Sequence, residues 1–210
     1  MSRETHVRFC EGVGVRFPRA TRRNIYVKSE RAGRRVMESV KRFLTGKLRL
    51  KVNEAKSAVA RPKDRKFLGF SFTGGESVKR RIAPQAVLRF RRRIRELTRR
   101  TRGISIERMI GELRRYMIGW RSYFGFCETP SILRELESWT RRRLRCFLWK
   151  QWKRGKARFK QLRKRGIGKE LAACTAGSAH GPWRLSSSQA LHYALPNAFF
   201  DSLGLPALVS

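Results

Sequence analysis

The sequence predicts a mainly α protein: a helical bundle preceded by a small α+β unit. Long stretches with apolar residues at helical spacing begin at Pro84, whereas short strand-like runs are confined to the chain before Lys79. The third observation is charge. The 51 Lys plus Arg outnumber the 15 Asp plus Glu, leaving a formal charge of +36, yet 40% of residues are hydrophobic and can build a core. Self-repulsion of that size opposes compaction, so the partner class is polyanionic.

In the first region "NIYVKS" (Asn24 to Ser29) reads as a strand. A helix follows from Glu30, with Val36, Val40, Phe43 and Leu44 at helical spacing and Gly46 placed to end it. "LRLKVN" (Leu48 to Asn53) alternates Leu48, Leu50 and Val52 with Arg49 and Lys51, the period of a half-buried strand with a cationic face. In "FLGFSFTGG", Leu68, Phe70 and Phe72 form one face of another strand, closed by a glycine turn.

In the second region Pro84 suits a first helical turn, and Phe90, Ile94 and Leu97 continue its apolar stripe until Gly103 breaks it. Ser105 can cap the next helix, whose Ile106, Met109, Ile110, Leu113, Tyr116, Met117, Trp120 and Phe124 share a narrow arc. Such a stripe is core, and no cofactor is needed to explain it. Thr129 and Pro130 then read as cap and first turn of a helix carrying "RRRLRCFLWKQWKRGKARFKQLRKR", Arg141 to Arg165. At about 100° per residue, Leu133, Leu136, Leu144, Phe147 and Leu148 fall on one side. Trp149 falls opposite, among Arg142, Arg145 and Lys153, with Trp152 close to Arg145. An outer face of indole and guanidinium suits phosphate contact and base stacking. The alternative is that Trp149 packs on a neighbouring element, either the "HGPW" region or the next helix.

After Gly166 the chain is less basic. Ala190, Tyr193 and Ala194 with Pro196 as a stop, then Phe199, Phe200 and Leu203, suggest short helices that dock on the bundle. Cys10, Cys127, Cys146 and Cys174 stand far apart without a CxxC and read as reduced thiols, with no metal site expected. His180 and His192 lack neighbouring carboxylate or nucleophile patterns, so no catalytic residue is assigned. The first residues lack the apolar run of a signal peptide, and no stretch has the length of a membrane span, so a cytoplasmic protein without membrane contact is expected.

"LRLKVNEAKSAV", "KFLGFSF", "LRRYMIGWRSYFGF", "LESWTRRRLRCFLWKQWKR" and "HGPWRLS" with "ALPNAFFDSLGL" together resemble, in order and spacing, the C-terminal part of bacterial group II intron-encoded reverse transcriptase/maturases. The resemblance runs from Asn24 to the C-terminus. It implies a mainly α fold: a helical thumb and maturase bundle preceded by a small α+β remnant of a reverse-transcriptase palm. It divides the chain into a divergent segment 1–23, a partial palm 24–82, thumb-like helices 83–128 and a maturase-specific (X) domain with tail 129–210. It implies binding to group II intron RNA that assists folding and splicing, with target DNA or a separate fingers and palm chain as further partners. The RNA-binding residues it points to are Arg141, Arg142, Arg145, Trp149, Lys150, Trp152, Lys153, Arg154, Lys156, Arg158, Lys160, Arg163 and Lys164. Lys56, Phe67, Leu68, Gly69 and Phe70 would be the palm remnant near the primer.

One departure bears on enzymatic activity. Such enzymes have an aromatic-Ala-Asp-Asp turn where this chain reads "FPRATRRNIYV", so that Thr21 and Arg22 replace the paired aspartates after Ala20. Nucleotidyl transfer needs clustered carboxylates for two divalent cations. The chain has only Asp64 and Asp201, in different regions, and an arginine at the metal position repels the ions. The resemblance therefore implies no polymerisation by this chain alone and no cofactor, with Mg²⁺ only if a catalytic palm is supplied by another chain. The alternatives are the thumb and maturase part of a split RNA-directed DNA polymerase, or an inactive product of a decayed intron gene.

Overall fold

The computed structural model describes residues 5–9, 23–61, 64, 66–74 and 77–209. The chain divides into two units, Met1–Ala83 and Pro84–Ser210.

In the first unit, β1 (Thr5–Phe9), β2 (Arg23–Val27) and β3 (Ala58–Ala60) form an antiparallel sheet in the order β2-β1-β3, with Val7 opposite both Ile25 and Val59. The helix α1 (Glu30–Gly46) packs against β1 and β3. Its start is set by Ser29, whose hydroxyl accepts from the Ala32 amide at 3.2 Å. Leu44 is buried, but Phe43, expected on the same stripe, is exposed.

The expected strand Leu48 to Asn53 does not form. Arg49 takes a positive φ of 50°, and the Leu50 amide donates to the Leu44 carbonyl at 2.9 Å. Apart from a single bridge at Val52, the segment thus satisfies the open carbonyls at the end of α1 instead of extending a ladder, and the strand comes later, at β3. The strands β4 (Phe70–Phe72) and β5 (Arg80–Ile82) pair antiparallel, Phe70 facing Ile82. Leu68 is not on the face of β4: with Gly69 it makes a tight turn, φ 49° and 81°, closed by reciprocal bonds between Phe67 and Phe70 at 2.9 Å.

The second unit comprises α2 (Pro84–Leu97), α3 (Ile106–Phe124), α4 (Ser131–Gln151), α5 (Gly155–Lys164), α6 (Lys169–Gly177), α7 (Pro182–Leu185), α8 (Gln189–Ala194) and α9 (Asn197–Ser202). Pro84 opens α2, and the Ser105 hydroxyl caps α3 by accepting from the Arg108 amide. Phe90, Ile94, Met109, Ile110, Leu113, Met117, Leu133, Leu136 and Leu144 are fully or almost fully buried. Each such side chain stabilises the fold by about 1.5–3 kcal/mol. Phe90 and Trp120 meet at 4.6 Å between ring centroids, and Trp120 meets Phe124 at 4.7 Å. Thr129 does not cap α4: the helix begins one position later, after Pro130, and the Thr129 hydroxyl has no partner among the described residues.

The first half of α4 buries a single stripe, Leu133 and Leu136, as expected. From Thr140 to Trp149 it is enclosed on more than one side, because the chain from α7 to the C-terminus supplies a second packing surface. Ala190, Leu191, Ala194 and Phe200 of this tail are buried, while Tyr193 is exposed. Among the described residues no helix is long and apolar enough to cross a membrane.

Candidate nucleic-acid interface

Arg141 and Arg145, expected on an outer cationic face, are 5% and 4% exposed. Arg141 pairs with Glu137 one turn earlier and with Asp201 of α9 at 2.8 Å. Burial by itself would lower the Arg141 pKa, but the hydrogen bonds to Asp201 and Glu137 outweigh it and raise the value above the ordinary one. Glu137 also accepts the Leu208 amide at 2.8 Å, which closes the tail onto α4. Arg145 donates to the Leu195 carbonyl and to Asn197 Oδ1, each at 2.9 Å. Its pKa is lowered by burial and then by the neighbouring Arg141 charge. These two arginines hold the C-terminal tail and are not available to phosphate.

Trp149 is 0% exposed and Trp152 is buried, which corrects their placement on an outer stacking face. The two rings meet edge to face at 5.8 Å. Arg158 from α5 lies over Trp149 at 4.7 Å, and Arg165 lies over Trp152 at 5.0 Å. Of the alternatives for Trp149, packing on the next helix is the one observed. The predicted continuous basic helix is also interrupted: α4 ends at Gln151, Lys153 adopts φ 39°, and α5 starts at Gly155. Gly155 comes close to α6, since a Cβ there would sit 3.5 Å from the Ala176 carbonyl oxygen.

Within Arg141 to Arg165 the exposed cations lie on α5 and its approach. Lys153, Arg154, Lys156, Lys160, Arg163 and Lys164 are exposed, and no ion pair engages them among the described residues. Lys156, Lys160 and Lys164 follow at i, i+4 and i+8, one stripe along the helix. Like charges at that spacing cost about 0.2–0.5 kcal/mol per pair, a cost that bound phosphates would relieve. Arg163 donates to the Ile167 carbonyl at 2.7 Å beyond the end of α5. Arg142 and Lys150 are half-buried on α4.

Sequence reasoning missed Trp139, which is surrounded by guanidinium groups of Arg91, Arg95 and Arg143 at 5.8, 5.6 and 5.4 Å from its ring. These residues come from α2 and α4, so a projection of one helix could not bring them together. It also passed over Trp183 in "HGPW". Arg142 lies over that ring at 4.1 Å and donates to the Trp183 carbonyl at 2.9 Å.

In the first unit Lys56 is exposed in a short 3-10 turn, Glu54–Lys56, and Phe67, Leu68, Gly69 and Phe70 build the β-turn that leads into β4. Leu68 projects at the tip, 65% exposed. Ala20, Thr21 and Arg22, expected at the position of the aspartate turn, and Cys10 lie outside the described residues. Cys127 and Cys146 are buried and Cys174 is exposed. Among the described residues no His, Cys, Asp and Glu group has the arrangement to hold a metal ion.

Residues 87–166 match the family model of the group II intron, maturase-specific domain. The match begins in α2 and ends just past α5, so it covers α3, the arginine-bearing α4 and the lysine stripe. No curated protein matches the chain.

Proposed function

We propose that this chain, whose residues 87–166 match the group II intron maturase-specific domain, binds group II intron RNA and assists its folding and splicing, without polymerising nucleotides itself. The family match carries this reading. The lysine stripe of α5 supports it, since a row of exposed cations without carboxylate partners among the described residues offers phosphate contacts at no cost in broken ion pairs. In this reading residues 24–82 are the palm remnant, and the helices from residue 83 onward form one maturase-specific unit, since the match over 87–166 runs across the expected thumb–maturase border at residue 128; the protein acts in the cytoplasm. Lys150, Lys153, Arg154, Lys156, Lys160, Arg163 and Lys164 make the RNA contacts, while Arg142 and Arg158 hold the Trp183 and Trp149 rings in place. The replacement of both aspartates by Thr21 and Arg22 supports the absence of primer extension.

The test is splicing of a group II intron precursor RNA at a Mg²⁺ concentration too low for efficient self-splicing. The chain should raise the spliced fraction and should hold the precursor against excess transfer RNA. No stimulation, together with equal competition by transfer RNA, would refute the assignment.

A further inference from the structure

A cleft of about 320 Å³ opens between the end of α2, the C-terminal half of α4 and α7. Thr98, Arg99, Arg143, Lys150 and Trp183 line it, with Cys146 and Phe147 at its apolar side, and no carboxylate is among the lining residues. A cleft walled by three cations and one indole fits a ligand with a negative group and a flat ring.

The indole is held in advance. Trp183 is 41% exposed, but Arg142 covers its ring at 4.1 Å and donates to its carbonyl at 2.9 Å, so the ring is fixed to α4 while part of it remains open. Ser186, fully buried, donates its hydroxyl to the same carbonyl at 2.6 Å and locks the turn that carries the ring. Arg143 is oriented too: its Nε donates to Thr98 Oγ1 at 2.8 Å, and Thr98 in turn donates to the Ile94 carbonyl at 2.6 Å. Neither Arg99, Arg143 nor Lys150 has a carboxylate partner among the described residues. Fixed aromatic surface beside unpaired cations is the arrangement that recognises an unpaired nucleotide, the ring taking the base and the cations its phosphates.

We propose that this cleft is a subsite for one unpaired nucleotide of the bound RNA, its base stacked on Trp183 and its phosphate held by Arg99 and Lys150, with Arg143 oriented toward it by Thr98. The subsite rests on the RNA-binding function above and adds to it. The lysine stripe of α5 reads backbone charge and is indifferent to pairing, whereas this cleft distinguishes unpaired from paired RNA.

The experiment uses the full chain with a stem-loop RNA and with a fully paired duplex of the same stem, measured by fluorescence anisotropy. Trp183→Ala should weaken stem-loop binding by about tenfold, the range of a lost stacked base, and duplex binding by less than about twofold. Trp183→Phe should restore most of the loss. Arg99→Gln combined with Lys150→Gln, both away from the packed core, should give the same preference should Trp183→Ala prove poorly folded. A 5-iodouridine placed in the loop should crosslink to Trp183 on irradiation. Equal weakening for both RNAs, or none for either, with tight binding by the unsubstituted chain, would overturn the subsite and leave the RNA-binding function standing. Failure of the unsubstituted chain to bind either RNA would overturn both.

Discussion

Trp149→Ala separates the buried from the exposed placement of the aromatic residues in the basic stretch. The ring is 0% exposed, and Arg158 covers it at 4.7 Å. Truncating a fully buried Trp costs about 3–5 kcal/mol, and removing the attraction between its ring and the Arg158 guanidinium adds about 0.5–1 kcal/mol. The Trp149 Nε1 has no hydrogen-bond partner among the described residues, so nothing is lost there. A total of about 4 kcal/mol lowers the melting temperature of a unit of this size by about 15 °C. Trp149→Phe keeps most of the packing and removes an unpaired buried N–H, so it should cost only about 1–2 kcal/mol. Thermal unfolding followed by far-ultraviolet circular dichroism gives the stability. RNA affinity, measured well below the transition, should stay within about twofold of the unsubstituted chain, since about 0.4 kcal/mol or less is at stake for a residue that does not touch RNA. An unchanged melting temperature with about tenfold weaker RNA binding would refute the buried placement and return Trp149 to a stacking face.

Arg141→Ala should destabilise the chain by about 3 kcal/mol, because it leaves Glu137 partly buried without its cation, and should make the tail after α7 sensitive to protease. Asp201→Asn should cost about 1 kcal/mol or less, as that carboxylate is half exposed and screened. His192 keeps an exposed edge, and partial desolvation, then the Arg145 and Arg142 charges, hold it below the ordinary imidazole pKa. The folded chain therefore takes up the proton less readily than the unfolded one, so stability is full above the ordinary imidazole pKa and is lost as pH falls through it towards the folded value. Chemical denaturation between neutral and mildly acidic pH should show a shallow decline that His192→Gln flattens.

The helical elements are legible wherever a local signal sets them. Ser29, Pro84 and Ser105 start α1, α2 and α3, and Gly103, with φ 61°, stands where the stripe after Leu97 breaks. The segment Leu48 to Asn53 departs from its expected strand because alternation says nothing of a turn: the open carbonyls of α1 capture the chain first. The arginines of α4 depart for a different reason. A projection with one buried face cannot foresee a second wall. Here the partners Asn197 and Asp201 lie 52 and 60 residues away from Arg145 and Arg141. One hint is present, since Asp201 is one of only two aspartates in the chain and stands in an otherwise apolar tail. The lysine stripe of α5 is exposed as its sequence implies, because its polar spacing is local to one helix. The cleft at Trp183 combines α2, α4 and α7, and no single segment contains its pattern.

The salt dependence of RNA binding, compared between the unsubstituted chain and the triple variant Lys156→Gln, Lys160→Gln, Lys164→Gln, bears most directly on the function proposed for this domain. These residues are exposed, lie within the maturase-specific match and have no ion-pair partner among the described residues, so their removal leaves the fold intact. With about six to ten phosphates contacted, the log–log slope for the unsubstituted chain between about 50 and 200 mM salt should lie between about −4 and −9. Removing three contacts should make it shallower by about 2–3, at unchanged melting temperature. An identical slope in the two proteins would contradict phosphate contact by α5, and a flat slope in both would contradict RNA binding through the charge of this chain altogether.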